Sequence, residues 1–271
     1  MLGRREFCAA ASLGLLKAGL LKAVPRIPVA LQLFSVRQQC DKDLPGTLAR
    51  VAEFGYEGVE LAGYYGRPPL VFRKMLADNK LPICAAHVPY ESLQGSFLES
   101  TIQFQKDLGN KNLIVPGLPS AAMSSLDAWR ETAKRFTQMA ATLRANGMRL
   151  GYHNHAVEFK PVDGQTPWDI FLANSSKDVM IELDLGNAGF AGVDPVETVK
   201  NLQDRAKFIH VKDYTPTKPD LIVGDGQLNW SAFIPAAAAA EWFVIEHDSD
   251  PKADMADIAE TLKRFREKAA A

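Results

Sequence analysis

Cysteine and net charge are both scarce in this chain, and each shortage removes a class of function. Among its 271 residues there are three cysteines. Cys8 lies in an N-terminal leader, and Cys40 and Cys84 lack the CxxC spacing of zinc or redox motifs, so both are read as structural thiols. A formal net charge of −1 offers no global attraction to a phosphate backbone or an anionic membrane surface, which disfavours nucleic acid as a partner. No low-complexity linker divides the chain. What remains, 47% hydrophobic and 23% charged residues, is ordinary globular composition with enough apolar material for one barrel-sized core.

Residues 1–26 stand apart from this. Arg4-Arg5-Glu6-Phe7 precedes a small-residue apolar run from Cys8 to Leu16, then Lys17, Lys22 and a joint at Pro25 and Pro28. The pattern resembles a twin-arginine export leader, and its apolar stretch is too short to span a bilayer. A periplasmic location follows, with no membrane attachment after export; a cytoplasmic protein with an N-terminal extension is the alternative.

From Ile27 onward an apolar run of strand length, a turn and an amphipathic segment of helix length recur. The runs are Val29–Ser35, Gly58–Ala62, Ile83–Val88, Asn112–Gly117, Arg149–His155, Val179–Gly186, Ala206–Asp213 and Trp242–Asp248. Between them apolar residues recur at three and four, as in Leu44, Leu48, Val51 and Ala52 or Leu70, Phe72, Met75 and Leu76. Asp43 before Pro45, Asp127, Asp194-Pro195 and Asn229 mark helix starts, and Gly55, Gly109 and Gly147 mark stops. Strands alternating with helices pair in parallel through right-handed crossovers. Eight units over residues 27–271 predict an α/β fold, a closed (β/α)8 TIM barrel in a single domain. An open doubly wound sheet is the alternative, but Phe34-Ser35-Val36-Arg37-Gln38-Gln39 stands where its glycine-rich turn belongs.

In a TIM barrel the reacting groups gather at the C-terminal ends of the strands. The chain has five histidines, and all fall near such ends. The successive ends carry Gln32 and Arg37; Glu60; His87; then His153, His155 and Glu158; Glu182 and Asp184; His210, Lys212 and Asp213; and Glu246, His247 and Asp248. Unpaired buried charges are very costly, so a ring of carboxylates and imidazoles calls for a cation. Oxygen and imidazole donors without thiolate suit Mn²⁺ first, with Mg²⁺, Co²⁺ or Zn²⁺ as alternatives. Asp184, His210 and Glu246 are the expected ligands. Strand alternation puts His153 and His155 on one side, and places Glu182 on the face of Asp184 but farther from the mouth. His247, next to Glu246, should face away. Gln32, Glu60, His87, His155 and Asp213 are candidate substrate contacts, Glu60 being equally readable as a turn anchor. Phe34, Tyr64, Tyr65 and Trp230 are candidate sugar-stacking surfaces, and Gly224-Asp225-Gly226 reads either as a lid or as an ordinary loop.

Gln32-Leu33-Phe34-Ser35-Val36-Arg37, Gly55-Tyr56-Glu57-Gly58-Val59-Glu60, Gly151-Tyr152-His153-Asn154-His155, Leu183-Asp184-Leu185-Gly186-Asn187, His210-Val211-Lys212-Asp213 and Glu246 together resemble the xylose-isomerase-like TIM barrels. These include sugar phosphate isomerases and epimerases and, more distantly, endonuclease IV. The resemblance implies a metal held by Glu, Asp, His and Glu from the fifth to eighth strands, of which the last three are Asp184, His210 and Glu246. The first Glu is missing: either His153 replaces it or Glu158 reaches back. Asn187 stands where the repair enzymes have a further metal-binding His. The resemblance also implies an isomerase or epimerase that removes a proton next to a carbonyl, a divalent ion stabilising the enediolate. Glu158 or Glu246 would be the acid/base, with His153, His155, His87 and Lys212 holding sugar oxygens or polarising the carbonyl. A lyase or hydratase acting on keto sugars or 3-keto-glycosides is the rival, and a non-catalytic sugar-binding barrel a third reading. The partner in each case is a small carbohydrate. Oligomeric state is open, a homo-oligomer included.

Overall fold

The computed structural model describes residues 26–248 and 255–270, so the leader lies outside the described residues. Eight parallel strands close into one barrel: β1 (Val29–Gln32), β2 (Gly58–Leu61), β3 (Ile83–His87), β4 (Asn112–Val115), β5 (Arg149–His153), β6 (Met180–Asp184), β7 (Ala206–Val211) and, after a hairpin of β8 (Asp213–Thr215) and β9 (Lys218–Leu221), β10 (Trp242–Ile245). Closure comes from β1 pairing with both β2 and β10. Between the strands run α1 (Arg37–Phe54), α2 (Pro69–Asp78), α3 (Phe97–Leu108), α4 (Leu126–Ala145), α5 (Pro167–Asn174), α6 (Leu185–Phe190), α7 (Pro195–Leu202) and α8 (Trp230–Ala236), and α9 (Met255–Ala270) follows the last strand. This is the TIM barrel expected, as a single domain. Among the described residues no helix is long and apolar enough to cross a membrane.

Several helix signals act as expected. Asp194 accepts from the Val196 amide at 2.8 Å and Asn229 from the Ala232 amide at 3.2 Å, and Gly55 and Gly109 end their helices at φ 93° and 85°. Asp43 accepts from the Gly46 amide at 3.1 Å, but it kinks α1 (φ −152°, ψ 82°) rather than starting it, because Arg37–Lys42 already coil ahead of it. The cap of α4 is Ser125, which accepts from the Ala128 amide, so Asp127 sits in the first turn instead of opening the helix. Leu70 is 65% exposed while Phe72 and Leu76 carry the buried face of α2.

Most of the strands stop short of the apolar runs, and polar side chains help to stop them. Gln32 accepts from the Phe34 amide, and Asp184 from the Asn187 amide. In each case the side chain caps the next helical turn and draws the backbone out of the extended state. The barrel interior is apolar below, where Ala30, Cys84, Ala85, Ile114, Met180, Phe208 and Val244 pack together, and polar above. Cys40 and Cys84 are free and buried.

Candidate metal and substrate site

Alternate residues of a strand share a face. Above the apolar floor this places Gln32, Glu60, His87, His153, Glu182, Asp184, His210 and Glu246 toward the barrel axis. The register sets Gln32 beside Glu60, His153 beside Glu182 and Asp184 beside His210.

Two groups of donors result. In the lower one, Glu182 Oε2 lies 2.7 Å from His87 Nε2, 3.0 Å from His153 Nδ1 and 3.2 Å from His210 Nε2. Glu60 Oε2 lies 2.7 Å from His210 Nε2 and accepts from Gln32 Nε2 at 2.8 Å. In the upper one, Glu246 Oε2 lies 3.0 Å from His210 Nδ1, and Asp184 Oδ2 lies 3.8 Å from His153 Nε2. Lys212, 1% exposed, spans this upper layer, its Nζ 2.9, 2.7 and 2.9 Å from Asp184, Glu246 and Asp248. Its contact with Asp184 Oδ2 is close but lacks hydrogen-bond geometry, since that oxygen has no hydrogen-bond partner.

The electrostatics follow from burial and neighbours. Burial pushes His153 down to about 3, outweighing the hydrogen bond to Glu182, so this imidazole is neutral. Burial also opposes charge on His210, but Glu182 and Glu246 hold its pKa well above the ordinary value. Burial, then the charge of Glu182, pushes Glu60 up to about 7. Glu246 resists its own burial because Lys212 and His210 hold it well below the carboxylate range, whereas for Asp184 burial outweighs Lys212 and the pKa rises. Glu246 is therefore held in its ionised form by its neighbours.

The donor set fits a divalent ion. Ligand atoms of His153, Asp184, His210 and Glu246 all lie within 4.8 Å of one another. That spacing suits donors around one centre with bonds of about 2.0–2.3 Å. Glu60 Oε1 and Glu182 Oε1 are buried without a hydrogen-bond partner, and Asp184 Oδ2 has no hydrogen bond although the Lys212 ammonium lies 2.9 Å away; buried acceptors left without hydrogen bonds ask for further partners. Of the two alternatives for the fourth ligand, His153 is in the cluster. Glu158 is not: its carboxylate accepts from the Tyr152 hydroxyl and from the His155 amide, which folds the turn after β5 and removes it from the axis.

Several expected substrate contacts lie elsewhere. Asp213 spends both oxygens on the amides of Tyr214, Gly224 and Leu228 and on the indole N–H of Trp230. Gln32 donates to Glu60 and accepts from Phe34, and Glu60 is neither a turn anchor nor at the mouth but fully buried beneath it. Gly224-Asp225-Gly226 is a fixed loop rather than a lid: a Cβ on Gly226 would collide with the Asp213 carboxylate, and Asp225 pairs with Arg264 at 2.7 Å. His247 faces away as expected, bonding Asp220 and Thr261. His155 lies past the end of β5 at the rim, its ring 5.1 Å from that of His153. Sequence reasoning missed the part played by Glu182 and by Asn154, whose side chain accepts from the Asp184 amide at 2.9 Å and fixes the end of β6.

Above the cluster opens a cleft of about 610 Å³ whose lining includes Phe34, His87, Glu91, His153, His155, Glu246 and Asp248. Of the four aromatic candidates only Phe34 lines it, with Arg37 stacked 4.1 Å from its ring centroid. Tyr64 packs on Phe104, Tyr65 on Phe72 and Trp230 on Phe233 and Phe265.

A family model described as xylose isomerase-like TIM barrel matches residues 48–268. An inosose dehydratase of Clostridium perfringens is 23% identical over 198 residues, covering 66% of this chain and 66%, just under two thirds, of that enzyme. Inosose dehydratase 1 of Bacillus cereus is 21% identical over 245 residues, covering 75% of this chain and 82% of its own length. A crystal structure of a sugar phosphate isomerase/epimerase from Parabacteroides distasonis superimposes with a TM-score of 0.74 at 26% identity, covering 90% of this chain and 94% of that one.

Proposed function

Because the chain belongs to the xylose isomerase-like TIM barrel family, we propose that it is a divalent-metal-dependent isomerase or epimerase acting on a carbohydrate at the carbon next to a carbonyl. The observation that carries this reading is the position of Glu246: an ionised carboxylate at the wall of the cleft, held by Lys212 and His210 and facing a donor set fit for a cation.

Asp184, His210 and Glu246 hold the ion, Mn²⁺ first among candidates, with His153 as fourth donor in place of the family's Glu. When bound, the ion lowers the cost of the negative charge that develops on the carbonyl oxygen. Glu246 takes the proton, and Lys212 keeps one of its oxygens fixed and the group ionised. His155, an imidazole at the cleft, returns a proton to the same or the neighbouring carbon, and His87 holds sugar hydroxyls. Phe34 offers the ring face for stacking. Among the described residues the lining holds no lysine or arginine but does hold Glu91, Glu246 and Asp248, so an uncharged sugar suits it better than a phosphorylated one.

Dehydration is the second reading, favoured by the inosose dehydratases among the relatives: the same proton leaves, and an imidazole protonates a departing hydroxyl. Incubation with Mn²⁺ and a panel of neutral ketoses and inososes in D₂O, followed by NMR, tests both. Deuterium in recovered substrate and in an isomer supports the isomerase or epimerase, loss of water supports the dehydratase, and no exchange anywhere with ligand binding retained leaves a binding barrel. The resemblance of residues 1–26 to a twin-arginine leader supports a periplasmic location for the mature protein. Its intact mass from an export-competent host should lack the leader, and an unprocessed mass there would contradict export.

A further inference from the structure

We propose that the barrel contains a second, deeper metal station, formed by His87 Nε2, His153 Nδ1, His210 Nε2 and Glu182 Oε2, which competes with the upper station for a single ion. It rests on the reading that this barrel takes a divalent ion, and goes beyond it in saying where and which.

Three observations carry it. One ligand atom from each of these four residues lies within 4.8 Å of the others, Glu182 Oε2 is 2.7, 3.0 and 3.2 Å from the three named nitrogens, and His87 borders the cleft, which gives an entry path. Second, compensation is unequal between the layers. The upper carboxylates already have the Lys212 ammonium at 2.7–2.9 Å. Among the described residues the ion-pair partners of Glu60 and Glu182, both fully buried, are imidazoles alone, and one oxygen of each is unpartnered. Imidazoles, unlike an ammonium, can bind a metal ion through a ring nitrogen beside those carboxylates.

Third, His153 and His210 serve both layers through opposite ring nitrogens. A neutral imidazole has one nitrogen free to bind a metal while the other carries a proton. With the ion above, His210 Nε2–H donates to Glu60 and His153 Nδ1–H to Glu182. With the ion below, His210 Nδ1–H donates to Glu246 and His153 Nε2–H faces Asp184. Each layer's carboxylates thus serve as outer acceptors for the other, and both stations cannot fill together unless two imidazoles lose their second protons. The upper set has two nitrogens and two oxygens, is the harder of the two, and suits Mn²⁺. The lower set has three nitrogens and one oxygen and suits Zn²⁺ or Co²⁺.

Equilibrium binding of Mn²⁺, Zn²⁺ and Co²⁺ to the metal-free full chain, without sugar, tests this. One ion should bind per chain in every case. His87→Ala should weaken Zn²⁺ and Co²⁺ by about 10–100-fold and leave Mn²⁺ within about twofold, and Asp184→Asn should do the reverse. The visible band of bound Co²⁺ should have tetrahedral intensity and lose it in His87→Ala. Glu182→Gln, with folding checked by circular dichroism, is the second variant should His87→Ala fail to fold. Zn²⁺ and Co²⁺ affinities that ignore His87 and Glu182, or two ions bound at once, overturn the proposal. A protein that binds Zn²⁺ through His87 but exchanges no sugar proton would sink the catalytic reading and leave this one standing.

Discussion

Lys212 shows how much of this site is set by single side chains. It is a buried ammonium among Asp184, Glu246 and Asp248, and removing one partner of a buried ion pair leaves the others uncompensated. Lys212→Met should destabilise the metal-free protein by about 3–5 kcal/mol in urea unfolding, with Mn²⁺ recovering part of the loss; an unchanged midpoint would contradict the pairing. His153 gives the pH dependence. Burial pushes its pKa down to about 3 from an ordinary 6.5. The unfolded chain takes a proton there below 6.5 and the folded chain does not, so stability falls as pH drops through that window. Midpoints of the metal-free protein at pH 7 and pH 5 should therefore differ more in wild type than in His153→Asn, and equal differences would refute a neutral buried His153. Asp184, His210 and Glu246 were legible because strand alternation and end position are local properties, whereas the choice between His153 and Glu158 stayed open. The fates of Glu158 and Asp213 were not, since nothing local says that a carboxylate near the rim will be taken by a Tyr152 hydroxyl or by backbone amides of residues 214–228.

Among the elements, the loop after β9 is the clearest case of order imposed by one residue. Asp213 receives the amides of Gly224 and Leu228 and the Trp230 indole, pinning the chain from the hairpin to α8. Asp213→Ala should cost about 1–3 kcal/mol by leaving buried donors unpaired. Hydrogen exchange at Gly224 and Leu228 should accelerate while Mn²⁺ affinity is unchanged; a loss of Mn²⁺ binding without faster exchange would return Asp213 to the site. The strand limits teach the same lesson. The runs from Arg149 to His155 and from Val179 to Gly186 read as continuous, but β5 and β6 stop at His153 and Asp184. Asp184 belongs to the site and also caps α6, and an apolar count does not register a cap.

At the scale of the molecule, closure of the barrel is what joins residues as distant as Glu60 and Glu246 through one imidazole, His210. The fold itself was legible because eight alternating units leave few alternatives. The vertical order of the polar layers was not, because it depends on the register between strands. Loading with an ion should stabilise the whole chain by about 2.7 kcal/mol at a hundredfold excess over the dissociation constant, so a chelator should lower the melting temperature of protein purified with metal.

One cation shared by Asp184, His210 and Glu246 is the central claim. Titration of Mn²⁺ into metal-free wild type and Asp184→Asn, followed by the loss of the free-ion electron paramagnetic resonance signal, measures this directly; asparagine keeps the cap on α6 while removing the charge. One tight Mn²⁺ per wild-type chain, and an affinity lower by at least about tenfold in the variant, is the expected result. Equal binding by both proteins, or none by either, would contradict it.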